Sequence, residues 1–266
     1  MLERVACYVC GKQNDEVWAR ENGHTAVRCA DCGLVYVDPR PRLEDISRAA
    51  RTGLHEGAAE LDVVGSYGGE PRVRRYANVL CDLYGAGYFY KSGERWLDYG
   101  CGFGEFLEAL RQESGGGLKL VGFEPNDKKA ASARERGLEV SFDPSTLTRR
   151  FHYISLLNVY SHLPSPPETL AELREQLEPD GELLIQTGNF AELEREQIPT
   201  QLDLPDHLSF AGERLVRRVL EKTGFRVQKV VRYEMFGRPR GLRAKLSAPK
   251  KPPRGCSDLW IRGSRA

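Results

Sequence analysis

The stretch Trp96–Glu105, WLDYGCGFGE, sets three glycines at alternate positions directly after an apolar run and an aspartate. Arg95–Asp98 reads as a short buried strand. Glu105–Gln112 then opens a helix whose Phe106, Leu107 and Leu110 share one face. Leu118–Phe123 is a second strand, and it ends at Glu124, twenty residues beyond Gly104. Strand, glycine loop, helix, strand and acid make a mononucleotide-binding βαβ unit. A carboxylate at the end of the second strand accepts hydrogen bonds from two ribose hydroxyls at once and repels a ribose 2′-phosphate. A dinucleotide loop needs G-x-G-x-x-G, with the pyrophosphate on the helix N-terminus. Here the third glycine comes one residue early, and the Glu105 carboxylate opposes a pyrophosphate.

The G-x-G-x-G spacing, with Asp98 before it and Glu124 after it, resembles motif I of class I S-adenosylmethionine-dependent methyltransferases. That resemblance implies an α/β Rossmann-like fold, with a seven-stranded, mostly parallel sheet flanked by helices. It also implies the strand order 3-2-1-4-5-7-6, with the seventh strand antiparallel. The implied cofactor is S-adenosylmethionine, which carries no phosphate but a cationic amino group that suits Asp98. Its contacts fall on the loop residues Gly100, Cys101, Gly102, Phe103 and Gly104, on Asp98, on Glu124 with Pro125, and on Asn158.

The resemblance covers nearly all of residues 70–266. Asn126 is placed as the N-cap of a polar helix that Gly137 stops. Leu138–Phe142 is the third strand and Tyr153–Asn158 the fourth. The exit from the fourth strand, Asn158-Val-Tyr-Ser-His-Leu-Pro, resembles motif IV of the small-molecule branch, with Asn158 and Ser161 where acids often stand. Glu168–Leu177 is a helix, Pro179-Asp-Gly181 a turn and Glu182–Gly188 strand five. Ser209 is expected to cap a helix running to Lys222. Phe225–Tyr233 and Ser257–Arg262 supply the last two strands. Asp206-His-Leu-Ser-Phe210 resembles the D-H-x-x-F segment of a branch with an N-terminal zinc-ribbon-like segment. Members of that branch act mainly on sugars, nucleotide-linked sugars and other small metabolites.

At the front of the chain, Cys7-Tyr-Val-Cys10 and Cys29-Ala-Asp-Cys32 are separated by eighteen residues, the spacing of a tetrahedral zinc site. Four thiolates leave no open ligand position, so the expected zinc is structural. Residues 1–42 read as a zinc ribbon, 43–69 as a connector with a short helix, and 70–266 as the cofactor-binding domain.

Bulk composition sets the outer bounds. The 266 residues carry 39 basic and 38 acidic side chains, a net charge of +1, so no global field draws the chain to nucleic acid or membrane. The sequence shows no signal peptide and no apolar run long enough to span a bilayer. The cytosol is the default location, and seven cysteines there are not a disulfide framework.

Methyl transfer needs the acceptor held in line with the methyl carbon, and a base where the acceptor carries a proton of high pKa. Of five histidines, His207, in the loop after strand five, and His162, after strand four, are the candidate acid–base residues. His24, His55 and His152 are given no role. Tyr67 and Arg75 are candidates to cover the cofactor and bind its carboxylate, with a solvated helix face as the alternative for Arg75. The leading expectation is transfer to oxygen or carbon of a small molecule. An RNA methyltransferase is the runner-up, on the basic segment Gly237–Gly255 with seven Lys/Arg and no acid. Residues 1–42 balance six Lys/Arg with six Asp/Glu, so nucleic acid is not favoured. A non-catalytic cofactor-binding scaffold is the alternative from another class. Spacing argues against a nicotinamide dehydrogenase, and oligomeric state is not legible.

Overall fold

The computed structural model describes residues 1–55, 58, 61, 63–85, 90–148, 150–194, 197–198, 201–234 and 257–266. The basic segment 237–255 lies outside the described residues. Among those described, no helix is long and apolar enough to cross a membrane.

The first module holds β1 (Leu2–Glu3), β2 (Val17–Glu21), β3 (His24–Arg28), β4 (Val35–Val37) and β5 (Arg40–Pro41). Asn22 and Gly23 join β2 to β3 with φ of 51° and 75°. Two successive left-handed residues match the twist of a tight hairpin, and Asn-Gly adopts them at little cost. The connector contains α1 (Leu43–Thr52), which Gly53 ends in the left-handed conformation by donating its N–H to the Ala49 carbonyl.

Beyond it come α2 (Gly69–Tyr84), β6 (Arg95–Tyr99), α3 (Glu105–Glu113), β7 (Lys119–Phe123), α4 (Asp127–Glu135), β8 (Val140–Ser141) and β9 (Phe151–Leu157). The chain continues through α5 (Pro166–Gln176), β10 (Leu177–Gly188), β11 (Ser209–Phe210), α6 (Glu213–Lys222), β12 (Phe225–Glu234) and β13 (Ser257–Arg265). Seven strands form one sheet in the order β12-β13-β10-β9-β6-β7-β8. β13 runs antiparallel to both neighbours, while β10, β9, β6, β7 and β8 pair in parallel. This is the order the family resemblance implied.

Side chains of a strand alternate between faces, so a sheet covered on both sides buries every residue. Trp96, Tyr153, Leu184 and Trp260 pack on the face covered by α2, α3 and α4. Their neighbours Leu97, Ile154, Ile185 and Ile261 pack on the other, against α5 and α6. Trp96 and Tyr153 are register partners and stack with ring centroids 4.6 Å apart. The second face also meets Cys7, Val9, Cys29 and Leu34, so the cysteine module shares its core with α5 and α6.

Two local expectations are corrected. Ser209 does not cap α6: it lies in β11, and Gly212 stands at the cap position without a side-chain bond. The segment around Pro179–Gly181 does not separate helix from strand. It is a register shift within β10, between Leu177 and Glu182. Asn126 caps α4 as expected, its side chain accepting from Lys129 N at 3.1 Å.

Candidate functional site

The glycine loop leaves β6 and turns into α3 at the carboxyl end of the parallel strands, the usual ligand position in an open α/β sheet. Gly100 and Gly104 have φ of 78° and 88°, and a Cβ on either would lie 2.3 Å from Val159 or Leu138. These two glycines let the loop sink between β9's exit and α4. Gly102 is different: a Cβ there meets nothing within 4 Å, because that backbone faces open space. The cleft it faces is about 1380 Å³ and is lined by residues of α1, the loop, Glu124 to Asn126, Asn158, Val159, Ser161 to Pro164 and the segment before α6. That exceeds the roughly 300–1,000 Å³ of a single small-ligand pocket.

We expect Gly100→Ala to destabilise the protein by about 1–3 kcal/mol through backbone strain alone, with the Val159 clash added to that. Gly102→Ala avoids the clash but puts a methyl into the cleft. Thermal melts and product-binding calorimetry on both variants should separate the two effects.

Glu124 is buried at the end of β7. Its Oε2 accepts from Gly102 N at 2.7 Å and its Oε1 from Asn126 N at 2.9 Å. A carboxylate has about four acceptor sites, so two remain for a ribose. Asp98, also buried, accepts from the Ser155 hydroxyl at 2.6 Å, and that hydroxyl accepts from the Trp96 indole at 3.0 Å. Burial raises the Asp98 pKa from 3.8 to about 7; Ser155 opposes the rise, while Glu124 and Glu105 add to it. Glu124 is likewise raised, by burial first. Two buried carboxylates of raised pKa around a bare backbone suit a cationic ligand bearing a ribose. They would repel a phosphate.

Glu105 opens α3 and accepts from Gly68 N at 2.7 Å and from Arg72 at 3.2 Å, tying the start of α2 over the loop. Phe103, Cys101 and Pro125 line the cleft. Asn158 takes a left-handed φ of 57° at the end of β9, a conformation asparagine tolerates. Arg75 lines the cleft but pairs with Asp258 at 2.9 Å. Tyr67 turns away from the loop's open face: its hydroxyl donates to Glu108 at 2.5 Å, and the Arg136 guanidinium lies 3.9 Å from its ring centre.

His162 and His207 come together on the far side of the cleft, with ring centroids 4.5 Å apart. His162 Nδ1 lies 2.9 Å from the Asp206 carbonyl and 3.3 Å from its carboxylate. His207 Nδ1 lies 2.8 Å from the Leu202 carbonyl. His55, which sequence reasoning set aside, reaches Asp206 with Nε2 at 3.1 Å. The contact joins residues 151 apart in sequence, and no local signal marks it.

The Sγ atoms of Cys7, Cys10, Cys29 and Cys32 all lie within 4.8 Å of one another, with two pairs at 3.4 Å. A zinc ion with ligands at about 2.3 Å spaces tetrahedral sulfurs about 3.8 Å apart, so the cluster brackets the geometry required.

The seven-stranded sheet and the loop define a methyltransferase of the S-adenosylmethionine-dependent class. Residues 73–230 match the methyltransferase-domain family, and the chain belongs to it. The chain is 28% identical over 112 residues to the ubiquinone biosynthesis O-methyltransferase of Actinobacillus pleuropneumoniae, a match spanning 36% of this chain and 47% of that protein. It thus spans about half the length of this curated relative. Among solved structures, a geranyl diphosphate methyltransferase in complex with GPP and sinefungin aligns at TM-score 0.56 and 16% identity, over 73% of this chain and 79% of that one. An O-methyltransferase from a trans-AT polyketide synthase of Brevibacillus brevis, bound to S-adenosylhomocysteine, aligns at TM-score 0.52 and 14% identity, covering 73% and 72%. At these identities the structural likeness concerns the fold.

Proposed function

We propose that this chain transfers a methyl group from S-adenosylmethionine to an oxygen or carbon of a small-molecule acceptor. A sugar or nucleotide-linked sugar is the class suggested by the Asp206–Phe210 resemblance. The observation that carries the reading is the pair of buried carboxylates, Asp98 and Glu124, flanking the bare Gly102 backbone in a cleft that continues to His162 and His207. The O-methyltransferase name of the curated relative supports an oxygen acceptor. We further propose that residues 1–42 are a zinc ribbon held by Cys7, Cys10, Cys29 and Cys32, joined through 43–69 to a methyltransferase domain over 70–266.

When bound, the cofactor supplies an electrophilic methyl on a sulfonium. Glu124 orients its ribose, Asp98 its ammonium, and the loop from Gly100 to Gly104 its backbone path. The acceptor lies between that loop and the two imidazoles. The bound cofactor would supply the methyl carbon to the acceptor, with the sulfur as leaving group retaining the electron pair of the carbon–sulfur bond. The acceptor's proton passes to an imidazole nitrogen.

Calorimetry with S-adenosylhomocysteine tests the cofactor half. Glu124→Gln should weaken binding roughly 30-fold or more, since hydrogen bonds to a charged group are worth about 1.5–3 kcal/mol each. Unchanged affinity would remove Glu124 from the site. Labelled methyl transfer into fractionated cell extract tests the acceptor half. Label in the RNA or protein fraction, with none in small molecules, would overturn it.

A further inference from the structure

The acceptor side of the cleft holds more machinery than two histidines. His162, in the turn after β9, and His207, in the segment before α6, both line the cleft. A carbonyl can only accept, so the nitrogen facing it must carry a proton. His207 Nδ1, 2.8 Å from the Leu202 carbonyl, is therefore an N–H, and Nε2 holds the lone pair of the neutral ring. By the same logic His162 Nδ1 donates toward the Asp206 carbonyl at 2.9 Å, with the Asp206 carboxylate at 3.3 Å. Both rings thus turn Nδ1 to protein and keep Nε2 for whatever occupies the cleft.

Asp206 sits between two imidazoles, one from each side. Its Oδ2 faces His162, and its Oδ1 lies 3.1 Å from His55 Nε2. His55 comes from the connector and its side chain is 8% exposed, so this bond is shielded from water. Asp206 is itself held by its N–H to the Asp203 carbonyl at 2.9 Å. The neighbouring Leu208 N–H donates to the Ser161 carbonyl at 2.8 Å, fastening the segment to the His162 turn.

The geometry points to Asp206, braced by His55, as a positioning residue that fixes His162 in one tautomer and as the charged member of an imidazole pair, leaving His207 as the neutral base. This rests on the methyltransferase reading above. In that reading the acceptor hydroxyl gives its proton to His207 Nε2 as the new bond to carbon forms. His162 Nε2–H donates a hydrogen bond to the acceptor and keeps its proton. A ligand suited to such a pair carries a hydroxyl beside a second oxygen.

The electrostatics agree. Burial disfavours the His162 cation, but the Asp206 contacts outweigh burial and raise its pKa above 6.5; Lys129 on α4 opposes the rise. His207 is lowered, by burial first and then by the His162 charge, against smaller upward effects from Leu202, Asp206 and Asp203. Asp206 lies well below the ordinary range: burial opposes this, but hydrogen bonds from His162 and His55 prevail. Glu124 faces His162 from the end of β7. Two like groups pushed apart by their surroundings are how an acid and a base are told apart.

Nitrogen-15 imidazole spectra of the full-length protein, with the five histidines assigned by single His→Gln variants, test this directly. Wild-type His162 should show Nδ1–H in its neutral form and titrate above 6.5, and His207 should titrate below it. Asp206→Asn should lower the His162 midpoint by about one pH unit or more and narrow the gap to His207. S-adenosylhomocysteine affinity should stay within about twofold. His55→Ala should mix the His162 tautomers, while His55→Gln, whose amide still donates to Oδ1, should restore one. An unmoved His162 midpoint in a folded, product-binding Asp206→Asn protein overturns the proposal. Should that variant fail to fold, the wild-type spectrum decides, because an Nε2–H tautomer or a midpoint at or below 6.5 is equally fatal. Loss of product binding by the wild type would instead refute the underlying methyltransferase reading.

Discussion

Stripping the four-thiol cluster with a strong chelator should release about one zinc per chain and lower the melting temperature by more than about 10 °C. Structural zinc contributes an apparent 10–16 kcal/mol in isolated finger peptides, comparable with the whole stability of a typical domain. Even half the lower figure moves the midpoint of a chain this size by about 10 °C or more, at roughly 2–4 °C per kcal/mol. The effect should not stop at residue 42. Cys7, Cys29 and Leu34 share one core with Leu215 and Val219 of α6, and Arg214 donates to the Cys32 carbonyl at 2.7 Å. β11 is a strand of the module's own sheet, with Ser209 opposite Tyr36 and Phe210 opposite Val35. The Glu21 carboxylate accepts from Leu202 N and Leu204 N, and Asn22 donates to the Leu204 carbonyl at 2.7 Å. The segment carrying Asp206 and His207 is therefore laced to the cysteine module. Hydrogen exchange after chelation should rise in residues 1–42 and 201–210 together, with β6 and β7 far less affected. A protein that keeps its melting point and its exchange pattern after losing its metal, or that never held one, refutes the structural zinc.

That lacing also shows where sequence reading stops. The cysteine pairs and the glycine loop were legible because each is a local pattern whose spacing is fixed by local geometry. Asn126 was legible for the same reason, since a cap acts within one turn. β11 was not: it has two residues, and its partner lies on β4. A serine shortly before an amphipathic helix reads as a cap, yet the Ser209 hydroxyl instead meets Tyr8 at 3.3 Å. From sequence Arg75 reads as facing solvent or a ligand carboxylate, because Asp258, on the last strand, is far from it along the chain. His55 carries no local signal, because its partner Asp206 lies 151 residues away in sequence. The strand order of the large sheet came from family resemblance, since no periodicity in one sequence says which strands are neighbours. The glycine-loop side of the cleft is built from one contiguous βαβ unit and is legible in the sequence. The opposite side is assembled from the connector, the turn after β9 and the segment before α6: His162 and His207 are legible one by one, but their meeting and the His55–Asp206 contact join distant segments and carry no local signal.

Replacing Asp98 with Asn should make the ligand-free protein more stable at pH 8 and cripple its affinity for cofactor. Asp98 is 2% exposed on β6, with Ser155 on β9 as its hydrogen-bond donor. Glu105 on α3 and Glu124 at the end of β7 add negative charge around it, and Tyr76 on α2 and the Cys101 thiol face it as neutral groups. Its pKa of about 7 in the folded state exceeds the 3.8 of an exposed aspartate. The native state therefore holds a proton that the unfolded state has released, and stability falls as pH rises from about 4 through about 7. The displacement corresponds to on the order of 4 kcal/mol, fully felt above pH 7 and absent below about 4. Asn removes the charge and keeps an oxygen for Ser155, so part of that penalty should disappear in denaturant melts at pH 8 and the two proteins should converge near pH 4. The same substitution removes the anion that meets the ligand's ammonium. S-adenosylhomocysteine should bind wild-type protein with release of a proton at pH 6, visible as a buffer-dependent calorimetric heat, and should bind Asp98→Asn at least about tenfold more weakly with no such release. The buried carboxylate is then a stability cost offset only when a cation arrives. An Asp98→Asn protein that is no more stable at pH 8, yet binds normally, would mean that the Asp98 pKa is not raised in the fold and that its charge contributes nothing to the ligand.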